Sequence, residues 1–125
     1  MQNNKSALIL IDHGSRVSEA NDVLVNIATR IMNNNSCNFD LVTYSHMELA
    51  EPTIEQAFRH CVDNGASDIV VHPYFLAPGR HSKTDIPEMV KRAAKNYPGI
   101  RYRITEPLGI HDKIIEVVLE RSKEY

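Results

Sequence analysis

Ala7-Leu-Ile-Leu-Ile11 is a continuous apolar run rich in β-branched residues, and a run without alternation suits a parallel strand covered on both faces. A different period follows at once. Ala20, Val23, Leu24, Ile27, Ala28 and Ile31 recur at helical spacing, the apolar stripe of an amphipathic helix. The same strand-then-helix pattern then returns three times. Phe39 to Ser45 reads as a second strand, and Glu51-Pro52 opens a second helix, because proline is tolerated in a first turn. Its inward stripe is Ile54, Ala57, Phe58, Cys61 and Val62, and Asn64-Gly65 stops it, since glycine accepts the left-handed conformation there. A third strand starts at Asp68-Ile-Val-Val71, and Ile86, Met89, Val90, Ala93, Ala94 and Tyr97 mark a third helix. Ile100 to Thr105 makes a fourth strand, and Ile114, Ile115, Val118 and Leu119 are expected to turn a last helix inward.

Four such units without repeats or linkers imply an α/β fold, an open parallel four-stranded sheet with right-handed crossovers and helices on both faces. A flavodoxin-like strand order, 2-1-3-4, is expected. At 125 residues, 42% hydrophobic and 24% charged, the chain has room for a single domain over residues 1–125. So small a sheet leaves edges uncovered, which favours self-association and leads us to expect a homodimer.

Composition removes several classes of function. A net charge of -2 with no basic stripe argues against a nucleic-acid partner. Met1-Gln-Asn-Asn-Lys5 is polar, and the apolar run after it is too brief for a signal peptide or a membrane span. Cys37 and Cys61 form neither a CxxC pair nor a disulfide framework. A reduced, cytoplasmic protein with no membrane partner is the expectation, with Cys61 in the core.

The residues suited to chemistry fall just after strands, where ligands of open parallel sheets bind. His13 follows the first, His46 and Glu48 the second, His81 the third and Glu106 the fourth. The third connection is the best equipped. From His72 to Pro87 it holds Pro78 and Gly79, then Arg80, His81 and Lys83, two cations and a titratable ring within four positions. Two imidazoles and a carboxylate on one rim would form an incomplete shell for a divalent transition metal. Plainer readings stand beside this one. His13 could bond only a backbone carbonyl above a tight turn at Gly14. His72 reads as a satisfied core histidine, His60 as a solvent-facing helix residue, His111 as a helix-start residue, and His46 as either a bystander or a supporting residue. Glu48 or Glu51 could serve a helix N-terminus. His13 and His81 both sit in glycine-containing loops after strands, a setting expected of site residues.

His13-Gly-Ser-Arg16, Met47-Glu-Leu-Ala-Glu-Pro-Thr-Ile-Glu55, Pro73-Tyr-Phe-Leu-Ala-Pro-Gly-Arg-His81 with Asp85-Ile-Pro87, and Glu106-Pro-Leu-Gly109 resemble the signature blocks of the CbiX/SirB sirohydrochlorin chelatases. The blocks come in the right order and span nearly the whole chain. One departure is a more basic Ala77-Pro-Gly-Arg80 than the apolar loop of many relatives. The resemblance implies a class II chelatase fold and ATP-independent insertion of Co2+, or Fe2+ or Ni2+, into a sirohydrochlorin-type tetrapyrrole, with no organic cofactor. It also implies the short form that pairs as a homodimer. Carried over by motif position, His13 is metal ligand and proton acceptor, His81 the second metal ligand, and Glu48 a contact to macrocycle or metal. Leu76, Ala77, Pro78, Gly79, Arg80, His81 and Arg16 would meet the substrate's carboxylates through cations and backbone N–H groups. Two other readings of the same residues are a noncatalytic metal or tetrapyrrole carrier and a phosphoryl-transfer histidine. The second is the weaker, because Asp12 rather than an arginine precedes His13.

Overall fold

The structure, a computed structural model, describes residues 4–77, 79 and 82–123, without the side chain of Ser82. Its elements alternate as β1 (Lys5–Asp12), α1 (Ser18–Met32), β2 (Leu41–His46), α2 (Ile54–Asp63), β3 (Ala66–Pro73), α3 (Ser82–Ala94), β4 (Arg101–Ile104) and α4 (Asp112–Ser122). The strands form one parallel sheet in the order β2-β1-β3-β4. The expected fold and strand order are therefore those observed.

Successive residues of β1 serve opposite layers. Ala7, Ile9 and Ile11 join Ile69 and Val71 of β3 beneath α2 and α3, where Ile54, Ala57, Phe58, Cys61, Ile86, Val90 and Ala93 complete the main core. Leu10 points the other way, to Leu24 and Ala28 of α1. That period of two explains why the β1 run had to be apolar throughout. Phe58 is fully buried, a burial that contributes roughly 1.5–3 kcal/mol.

Two expectations about helices need correction. Pro52 does not lie in the first turn of α2. Thr53 is the N-cap: its hydroxyl accepts from the Gln56 N–H at 3.1 Å, and the Gln56 side chain accepts from the Thr53 N–H at 2.8 Å. This reciprocal capping box satisfies two N–H groups that the helix leaves unpaired, and so sets the first helical residue, Ile54, two residues after the proline. The other correction concerns α4, which buries none of its residues. Ile115, Val118 and Leu119 are 49%, 60% and 55% exposed. Since Ile69, Val71 and Ile104 face the main core, alternation turns Arg101 and Arg103 to the α1 side of the sheet, and both are exposed. Among the described residues, neither apolar cluster includes a residue of α4. Val23 of the α1 stripe is also outward, at 56% exposed.

Cys61 is buried, as expected, and burial pushes its thiol up to about 12. Thiolate is the reactive form. A disulfide reagent at pH 8 is accordingly expected to label one thiol of the native chain, the half-buried Cys37, and two after denaturation. Two thiols reacting fast in the native state would contradict this packing. Among the described residues no helix is long and apolar enough to cross a membrane.

Candidate functional site at the carboxyl rim

The first two strands do not stop pairing where their regular ladder ends. Asp12 and His46 are partners in the last register position. Beyond them the Met47 N–H donates to the Asp12 carbonyl at 2.9 Å and the Glu48 N–H to the His13 carbonyl at 3.1 Å. The loops carrying His13 and Glu48 are thereby joined backbone to backbone. Gly14 makes the approach close. Its φ is +89°, and a Cβ there would lie 3.0 Å from the Cβ of His46 and run into the Glu48 carbonyl oxygen. The next residue is tied to α1, because the Ser15 N–H donates to Asn21 Oδ1 at 2.9 Å and Asn21 Nδ2 donates to the Ser15 carbonyl at 2.8 Å.

His13 is exposed on this braced loop. Its ring stacks on Phe75, with centroids 4.7 Å apart and planes inclined at 24°. Phe75 belongs to the connection after β3, so the ring contact brings the first and third loops together. That third loop is held in turn by the fourth. The Leu108 N–H donates to the Phe75 carbonyl at 3.0 Å and the Gly109 N–H to the Leu76 carbonyl at 2.8 Å. Leu76, Ala77, Gly79, Arg16, Glu48 and Glu106 are all exposed. Pro78, Arg80 and His81 lie outside the described residues. No group of three His, Cys, Asp or Glu side chains suited to a metal ion occurs among those that are described.

The remaining histidines take different parts. His72 is half-buried, its Nδ1 lies 2.8 Å from the Thr105 hydroxyl, and burial lowers its pKa, which favours the neutral ring. His60 is exposed on α2, and His111 caps α4 by accepting from the Lys113 N–H at 3.1 Å. His46 is 1% exposed and lies under the rim, bonded to Asp12. Asp12 and Phe75 were not singled out from the sequence. The signal for Asp12 was its place as the last strand residue before a site histidine. For Phe75 it was a place inside the Pro73–His81 block, with nothing in the sequence to pair it with His13.

The chain has relatives among known proteins. The family model described as CbiX matches residues 7–125. The chain belongs to the CbiX family. Over 114 residues it is 46% identical to the chloroplastic sirohydrochlorin ferrochelatase of Arabidopsis thaliana, covering 91% of this chain and 50% of that protein. With the sirohydrochlorin cobaltochelatase of Sulfurisphaera tokodaii the identity is 33%, covering 94% of this chain and 91% of the relative. The crystal structure of the sirohydrochlorin chelatase SirB from Bacillus subtilis subspecies spizizenii in complex with cobalt superposes with a TM-score of 0.87 at 38% identity. That match covers 96% of this chain and 50% of SirB. This CbiX chain thus spans about half the length of several curated relatives it matches.

Proposed function

We propose that this CbiX chain inserts a divalent metal ion, Co2+ or alternatively Fe2+ or Ni2+, into a sirohydrochlorin-type tetrapyrrole in the cytoplasm, without ATP or an organic cofactor. The observation that carries this reading is His13, an exposed imidazole at the carboxyl rim, stacked on Phe75 and tied through its backbone to Glu48. The sirohydrochlorin chelatases among its relatives, and SirB in complex with cobalt, support it.

In the reaction the macrocycle releases two pyrrolic protons and takes up one divalent ion, so charge balances without a redox step. A neutral imidazole can hold the incoming ion through a ring nitrogen, release it, and then accept a proton at that nitrogen. His13 has this role and takes one of the two protons, His81 is the second ligand, and the other proton passes to solvent. The exposed Glu48 carboxylate contacts the macrocycle or the arriving metal. Arg16, Arg80 and the Leu76–Gly79 backbone meet the peripheral carboxylates, whose charge-assisted bonds to cations are the strong ones. An anaerobic assay with sirohydrochlorin and each of Co2+, Fe2+ and Ni2+, followed by the change in macrocycle absorption, tests the proposal. Turnover with at least one ion is expected. Tight metal or tetrapyrrole binding without turnover would make the chain a carrier instead.

The working assembly is a homodimer. Its support is the α4 stripe of Ile115, Val118 and Leu119, each about half or more exposed, an apolar surface that a second copy would cover. Light scattering over a dilution series is expected to give twice the chain mass at micromolar concentration. Val118→Lys combined with Leu119→Lys should shift the chain to monomer. A wild-type monomer with full specific activity would refute a functional dimer.

A further inference from the structure

The proposed reaction uses neither Asp12 nor His46, yet the two lie directly behind the residues it does use. His46 is 1% exposed, and its Nδ1 lies 2.5 Å from Asp12 Oδ1 across a sequence separation of 34. Asp12 immediately precedes His13, and His46 stands two residues before Glu48. The pair occupies the final register position of β1 and β2. His46 is anchored from a second side as well, because its N–H donates to the Pro52 carbonyl at 2.9 Å and it bridges to Thr53 ahead of α2.

Stability alone does not call for a polar pair at this place. Replacing a buried ion pair by apolar groups of similar volume is often neutral or stabilising, and the neighbours on this face, Leu10, Val42 and Tyr44, belong to an apolar cluster. A side-chain hydrogen bond adds what apolar packing lacks, a fixed distance and direction between two backbones. Such outer partners orient the residues that meet a metal.

We propose that His46, through its bond to Asp12, is a positioning residue that holds the ends of β1 and β2 at one spacing and so sets His13 against Glu48. This rests on the reading above that His13 and Glu48 do the work. The pair tightens the loops through the two backbone bonds that follow it, Met47 N–H to Asp12 and Glu48 N–H to His13.

The test compares His46→Leu, which fills the space without a hydrogen bond, with His46→Asn, which keeps an N–H where Nδ1 stands. Three measurements are made on the full chain: melting temperature, hydrogen exchange of the Met47 and Glu48 amides, and insertion kinetics giving kcat and KM for Co2+. His46→Leu is expected to melt within a few degrees of wild type, to exchange both amides at least about tenfold faster, and to lose roughly 10–100-fold in kcat/KM. His46→Asn should recover most of both losses. Wild-type exchange and turnover in His46→Leu would overturn the proposal, as would a loss that His46→Asn does not repair. Should His46→Leu fail to fold, Asp12→Ala, whose aspartate side chain is 23% exposed, carries the same readouts. If the wild-type chain inserts no metal, the catalytic reading fails separately, and the amide exchange still decides whether the pair clamps the loops.

Discussion

His13→Ala is expected to lower metal insertion by at least about 100-fold, the lower end of what a positioned acid–base group supplies, while the melting temperature stays within a few degrees of wild type. The ring is exposed and its described contact is the stack on Phe75, so little packing is lost with it. The backbone bond from the Glu48 N–H to the His13 carbonyl does not involve the side chain and remains. His81→Ala should lose comparably if the ion is shared between two imidazoles. His60→Ala, exposed on α2, is the matched control and should insert metal at the wild-type rate. Wild-type turnover in folded His13→Ala would remove His13 from the mechanism and leave Glu48 or solvent to take the protons.

Gly14→Ala is expected to damage stability and insertion together, which separates it from His13→Ala. A side chain at φ +89° is strained whatever the surrounding space, at a cost of roughly 1–2 kcal/mol. Here the space is also taken. The added carbon meets the backbone carbonyl of Glu48, which cannot swing aside as a flexible side chain would. Either the His13 loop or the Glu48 loop must move, and the bond between them stretches. With the further cost of that shift, a melting temperature about 10 °C below wild type is expected, and insertion should fall at least about tenfold at temperatures where the chain is still folded. Gly99→Ala is the contrast, because a Cβ there meets nothing within 4 Å and its φ lies outside the left-handed range. Scanning calorimetry on both variants, with the insertion assay, checks this. If Gly14→Ala melted like Gly99→Ala and turned over at the wild-type rate, the close approach of the two loops would have no bearing on function.

The order of strands and helices was legible because each is written in a few consecutive residues. The unbroken apolar run of β1 and the Ile54, Ala57, Phe58 and Cys61 stripe of α2 announce their buried faces without reference to the rest of the chain. Alternation of the two periods then restricts the sheet to a parallel one, and right-handed crossovers leave few orders for it. The β2-β1-β3-β4 arrangement is one of these. Placing His13 and Glu48 at the rim needed only that both follow strands, since every parallel strand of such a sheet ends on the same side.

Tertiary structure alone decided what touches what. The α4 stripe has the period of a buried helix, but period cannot show whether an apolar seat exists, and α4 buries none of its residues. The stack of His13 on Phe75 joins loops from β1 and β3, and the bond of His46 to Asp12 joins strand ends 34 residues apart. Periodicity is a property of neighbours along the chain, whereas these contacts depend on register between strands, where a shift of one residue would turn His46 to the other face and leave Asp12 without its partner.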